Sequence, residues 1–290
     1  PALPQMQAYF QTKEGLIEWV ITINFLGLCI SSIFCGYISD VYGRKKIILW
    51  GTGLFLLGSA GCVFTRSFPL FLSFRFLQGL GCGAPATVSF AAICDVYDES
   101  KSIRMISFFN GIITGAMVAA PFLGIFLTTY LSWRSNFIFI GILALLSFFL
   151  LLIFFRETIN INKESSLNWK HFFSNLYLIL REKKFWIYGL SAILMYAALI
   201  TFLANFSLLT INHLHISLAY YGWLQSTVMF TFVIASFFCA WLMKHVKPAQ
   251  IIKWGMGCSL NGSVILLVSI YFSKSPTLFT IAIACFNVGA

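Results

Sequence analysis

The sequence predicts an all-α polytopic membrane protein, and three observations predict it. Of its 290 residues, 59% are hydrophobic and 10% are charged, with a mean hydropathy of +0.88, whereas an average soluble domain is roughly half apolar and a quarter charged. Uncharged apolar runs recur along the chain, each close to the roughly 20 residues a helix needs to cross a bilayer's hydrocarbon. The runs are continuous rather than alternating with period two, which selects helices over barrel strands. Recurrence also excludes a lone anchor or a signal peptide.

Read between charge clusters, the runs place spans at 16–39, 47–65, 69–94, 105–130, 134–155, 185–211, 219–243 and 251–273, with a further span opening near Thr277. The formal charge of +10 is a topology signal. If the first span runs outside to inside, the loops at 40–46, 95–104, 156–184 and 244–253 face the cytoplasm. Fourteen of the 19 Lys and Arg then fall inside and four outside, with Arg75 within a span, which satisfies the positive-inside rule. A nucleic-acid face would instead gather its basic residues on one polar surface, so the partner this charge implies is the lipid bilayer.

The longest polar stretch carries Glu157, Glu164 and Glu182 among its basic residues and divides the chain into a bundle at 1–156, a linker at 157–184 and an incomplete bundle at 185–290. Within the linker, Trp169, Phe172, Phe173, Leu176 and Leu180 recur at helical spacing after Ser166, an N-cap candidate. That pattern fits an amphipathic helix lying on the cytoplasmic leaflet and, equally, a short helix packed on the bundle. The eight Cys lie in or at the ends of apolar runs, with no C-x-x-C pair, and read as small buried residues. The polar segments hold no nucleophile–base pair and no metal set. Neither an enzyme, a metal nor a cofactor is expected.

Chemistry concentrates in three motifs. Between the first two spans stand Gly36, Asp40, Gly43, Arg44, Lys45 and Lys46. Gly36 is expected to permit close helix approach, Gly43 to end the helix in a left-handed conformation, and the cations to hold the turn inside. Asp40 is the unusual member, placed to pair with an Arg or with a helix N-terminus. The third span contains Arg75, Gln78, Gly79 and Gly83. An Arg inside a lipid-spanning helix costs roughly 2.5–3.5 kcal/mol unless it meets a partner or water, or snorkels to the nearer surface. In the fourth span Gly111, Gly115, Pro121 and Gly124 place small residues and a helix-weakening Pro along one helix, which can bend there.

These motifs resemble those of major facilitator transporters. Gly36, Asp40, Gly43, Arg44 and Lys45 match G-x-x-x-D-x-x-G-R-K. The resemblance implies a cytoplasmic latch in which a carboxylate at the end of the fourth helix partners the Arg, here an expected Arg44–Asp95 pair with Arg104 in the same loop. Arg75 and Gln78 match R-x-x-Q-G, which the family links to proton coupling. The segment Gly111–Gly124 is similar to the fifth-helix motif of drug–proton antiporters, with Ile125 in place of its final Gly and the Pro shifted relative to Gly115. With Leu131-Ser-Trp133-Arg134 and Arg156-Glu157-Thr158, it resembles the Bcr/CflA group of bacterial drug efflux proteins.

What the resemblance implies is a major facilitator fold of two six-helix bundles in the complete protein, of which most of helix one and helices ten to twelve lie outside this sequence. It further implies a monomer in the bacterial inner membrane, in which proton entry drives export of a small amphipathic compound by alternating access. An uptake symporter of the same fold is the alternative, and a membrane sensor or non-transporting fragment the alternative of another class. Glu18, Asn24, Tyr196, Asn205 and Gln225 are polar groups at or near membrane depth. Each either lines a substrate cavity or makes an ordinary packing or interface contact.

Overall fold

The computed structural model of the chain describes residues 2–159, 167–183, 216–242, 248–272 and 276–289, with 185–186, 189–190, 193–194, 197, 201, 206 and 246 between them. By packing, the chain forms two compact units, Ala2–Asn110 with Tyr130–Lys183, and Gly111–Thr129 with the chain after Lys183. Tyr196 and Asn205, both named above as cavity candidates, lie outside the described residues, as does the N-cap candidate Ser166.

The first unit holds α1 (Leu3–Phe10), α2 (Glu14–Ile17), α3 (Trp19–Tyr42), α4 (Arg44–Phe64), α5 (Phe68–Val96), the opening of α6 (Glu99–Tyr130), α7 (Trp133–Phe154) and α8 (Trp169–Arg181). Five stretches among the described residues are long and apolar enough to cross a membrane: Glu14–Tyr42, Arg44–Phe64, Phe68–Val96, Glu99–Tyr130 and Trp133–Phe154. Their breaks have local causes. Gly43 has φ 100° and is the single residue between α3 and α4, a conformation that L side chains rarely adopt. Its N–H closes α3 on the Ser39 carbonyl at 3.0 Å. Pro69 stands in the first turn of α5, where its missing N–H costs nothing and its fixed φ suits a helix.

Helix α5 packs on α3 and α4, and α4 also packs on α7. The α3–α5 crossing is close because glycine faces backbone there. A Cβ at Gly27 would lie 2.5 Å from the Phe76 carbonyl oxygen and 2.9 Å from the Leu80 nitrogen. Small residues at such a crossing let dispersion and polar contacts do the packing that the hydrophobic effect does not supply between helices in lipid. The expected close approach at Gly36 is corrected: among the described residues no atom would lie within 4 Å of its Cβ, and the same holds for Gly111 and Gly115. Gly27, Gly79 and Gly83 carry the α3–α5 crossing instead.

At one end of the unit an aromatic hub joins three elements. Trp133 and Phe137 of α7 meet Phe71 of α5, and Phe10 of α1 packs on Phe68, Phe71 and Trp133. Most other large apolar side chains point outward, such as Ile142, Leu146, Ile153 and Phe154 on α7, an arrangement suited to a hydrocarbon solvent and not to water.

Helix α8 settles against α3 at its N-terminal end. Phe172 stacks on Tyr37 at 4.9 Å, Trp169 meets Phe34 and Tyr37, and the Asn168 N–H donates to the Tyr37 hydroxyl at 2.8 Å. Phe173, Tyr177, Leu178 and Ile179 remain exposed. The contact with α3 is thus present, and an apolar surface of α8 is left exposed.

The second unit contains the Gly111–Thr129 part of α6 with α9 (Leu218–Leu242), α10 (Pro248–Phe272) and α11 (Pro276–Gly289). Helix α6 runs unbroken through Pro121. Phe206, Tyr221, Leu224 and Phe279 form the buried cluster, with Ile125 and Leu266 against it.

Candidate functional site

The charged turn between α3 and α4 is built around one guanidinium. Arg44 opens α4 and is only 7% exposed, despite being charged and near a helix end. Its Nη1 contacts Asp40 Oδ1 at 2.5 Å, one helical turn back, and its Nε donates to Asp95 Oδ2 at 2.9 Å at the end of α5. The same Nη1 donates to the Ser39 hydroxyl at 2.5 Å, and that hydroxyl donates on to the Gly36 carbonyl at 2.7 Å. Gly36 therefore contributes a carbonyl. The planar fork of Arg suits two carboxylates in different directions, which a Lys would not match.

The chain leaving α7 completes the turn. Glu157 accepts the backbone N–H of Arg44 at 2.8 Å and of Lys45 at 3.2 Å. Thr158 donates its hydroxyl to Asp95 Oδ2 at 3.2 Å, and Lys45 Nζ donates to the Leu152 carbonyl at 2.9 Å. Arg104, expected in the latch, is exposed on α6 and makes no ion pair among the described residues. Glu157, Thr158 and Ser39 were not assigned a role from the sequence. The signal for the first two was an acidic and a hydroxyl residue directly after a span that returns to the same side as the charged turn.

The second constellation lies within the helices. Arg75 does not snorkel outward. Its Nε donates to the Val20 carbonyl of α3 at 3.0 Å, its Nη1 donates to Gln78 Oε1, and its guanidinium stands 5.7 Å above the Phe137 ring. Gln78 is fully buried and passes the contact on, its Nε2 donating to the Ser59 hydroxyl of α4 at 2.8 Å. That hydroxyl donates to the Phe55 carbonyl at 2.8 Å. Among the described residues no carboxylate pairs with Arg75. Among these contacts the charge is met by two neutral acceptors and a ring face.

Of the cavity candidates, Asn24 is engaged in helix packing, its Nδ2 donating to the Arg75 carbonyl at 2.9 Å. Glu18 is half-buried at the start of α3. Gln225 on α9 is buried in the second unit, and its Oε1 has no partner among the described residues. Gly124 of α6 accepts the Thr128 hydroxyl at 2.6 Å.

A family model described as Major Facilitator Superfamily matches residues 1–290. The chain belongs to the major facilitator superfamily. Among curated proteins, this superfamily member resembles the multidrug resistance protein MdtL of Shigella dysenteriae serotype 1 (strain Sd197) and that of Escherichia coli O157:H7. Each is 31% identical over 156 residues, 54% of this chain and 40% of the relative. The match thus spans less than half the length of those relatives. Among solved structures, the xylose transporter XylE from E. coli in a partially occluded inward-open conformation has a TM-score of 0.77 at 15% identity, over 99% of this chain and 75% of that one. A D-xylose–proton symporter has a TM-score of 0.73 at 16% identity, over 99% and 74%. At such identities the shared property is the major facilitator fold.

Proposed function

We propose that the protein to which this chain belongs is a secondary active transporter that exports small amphipathic compounds in exchange for protons. The observation that carries the reading is the two-carboxylate grip on Arg44, the arrangement expected of a conformational latch. Arg75 in its neutral cage is the proton-coupling element: a carboxylate that loses its proton is drawn to it, and reprotonation releases that carboxylate. Each proton moving inward supplies about 2.3 kcal/mol per 100 mV of membrane potential. The name of the MdtL relatives supports drugs as the cargo class.

In this reading the charged turn, the 95–104 loop and the 156–184 linker face the cytoplasm of a bacterial inner membrane. The chain divides functionally into a bundle at 1–156, a linker at 157–184 and part of a second bundle from 185. Gln225 and Glu18 remain candidates for the cargo path, and Gly111 to Gly124 for the bending helix. The transporter works as a monomer.

Reconstitution of the full-length protein in proteoliposomes with an imposed pH gradient tests this. Gradient-driven expulsion of a cationic dye is expected. Proton-driven accumulation of a nutrient without dye movement would replace export with uptake.

A further inference from the structure

We propose that Glu157 and Thr158 are positioning residues for the Arg44–Asp95 pair, clamping the charged turn to the end of α7; the proposal deepens the latch reading and rests on it. Helix α4 starts with orphan N–H groups, and its N-cap Gly43 has no side chain to accept them. The Glu157 carboxylate fills that gap from 113 residues away, accepting the Arg44 N–H at 2.8 Å and the Lys45 N–H at 3.2 Å. A negative charge at a helix N-terminus is also favoured by the helix dipole. The exchange is reciprocal, since Lys45 Nζ donates to the Leu152 carbonyl in the last turn of α7 at 2.9 Å.

Thr158 extends the clamp to the acidic partner. Its hydroxyl donates to Asp95 Oδ2 at 3.2 Å, the oxygen that also accepts Arg44 Nε at 2.9 Å. One two-residue segment therefore fixes the backbone beneath the cation and the orientation of the anion. All these groups belong to one compact unit. The end of α3, the start of α4, the end of α5 and the segment after α7 move as one piece, and a state change that separates Arg44 from Asp95 first has to loosen Glu157.

The full-length protein in lipid nanodiscs tests this by hydrogen–deuterium exchange at the Arg44 and Lys45 amides, alongside dye efflux from proteoliposomes. Glu157→Gln is expected to speed exchange at those amides about tenfold, one hydrogen bond's worth of protection. It is expected to lower the maximal efflux rate about fivefold at unchanged KM, and to add nothing to Asp95→Asn in the double variant. Thr158→Val lowers the rate likewise, and Thr158→Ser restores it. Unchanged exchange in Glu157→Gln, or effects of Glu157→Gln and Asp95→Asn that multiply, would overturn the clamp. If Glu157→Gln does not fold, the Thr158→Val and Thr158→Ser pair, each combined with Asp95→Asn, decides by the same non-additivity. Wild-type protein that moves no dye sinks the efflux reading alone, because exchange is read without cargo.

Discussion

Arg44 and Asp95 meet at 2.9 Å although 51 residues and a full transmembrane hairpin separate them in sequence. The pair joins the first residue of α4 to the end of α5, helices that already pack along their length. Asp40 takes the other arm of the guanidinium from the last turn of α3. One cation thus holds three helix ends together.

The two carboxylates are not equivalent. Asp95 is 21% exposed at its side chain and Asp40 is 55% exposed. Asp95→Asn is expected to lower unfolding stability by about 1.5–3 kcal/mol, the range for a hydrogen bond to a charged group. Asp40→Asn should cost less than about 1 kcal/mol, as for an exposed ion pair. Thermal unfolding of the full-length protein in detergent checks the order.

Gln78 is the acceptor that keeps the Arg75 charge tolerable within the helices. Gln78→Leu removes both its contacts, to Arg75 and to Ser59, and is expected to cost about 2–3 kcal/mol, the upper range for leaving hydrogen-bonding groups without a partner. Ser59→Ala, which removes only the end of the chain, should cost about 1 kcal/mol. Equal unfolding midpoints for the two variants would argue against the relay from Arg75 to Ser59.

Glycine separates packing positions from spectators. Gly27→Ala forces α3 and α5 apart and should destabilise by about 1–3 kcal/mol, the usual range for overpacking. Among the described residues nothing lies within 4 Å of a Cβ at Gly53 on α4, so Gly53→Ala is expected to stabilise by roughly 0.5–1 kcal/mol through helix propensity. Unfolding midpoints of the two variants should move in opposite directions.

Arg134 sits over Tyr9 at 4.3 Å and Trp133 at 4.5 Å, while its Nε donates to the Val63 carbonyl at 3.0 Å. A flat guanidinium can stack on both rings and an ammonium fits them less well. Arg134→Lys is expected to cost about 1 kcal/mol and to change tryptophan emission at Trp133. An unaltered spectrum and midpoint would assign the hub's strength to the rings alone.

Much of the first unit was legible because a lipid solvent forces long apolar runs. The expected spans at 47–65, 69–94 and 134–155 correspond to Arg44–Phe64, Phe68–Val96 and Trp133–Phe154. Reading by charge starts α6 too late, at 105, because the helix continues from Glu99 past Lys101 and Arg104 beyond the apolar stretch. Hydrophobicity marks the membrane and hydrogen bonding marks the helix, so the two disagree at the faces. Within the charged turn, Arg44 and Asp40 stood out by residue type and spacing, and Asp95 was reached through the resemblance to major facilitator transporters. Glu157 was not, since a carboxylate that caps a helix 113 residues earlier leaves no local pattern. Gly36 misled for a related reason: spacing reveals a small residue but not whether a neighbour faces it.

Arg75, part-buried and held by neutral partners among the described residues, is proposed to couple protons to cargo. Gradient-driven dye efflux by full-length wild-type protein and by Arg75→Ala, both reconstituted and both shown to be folded, tests it most directly. Uphill efflux by the wild type and none by Arg75→Ala is the expected result. Efflux by the variant at the wild-type rate and with the wild-type pH dependence would contradict it.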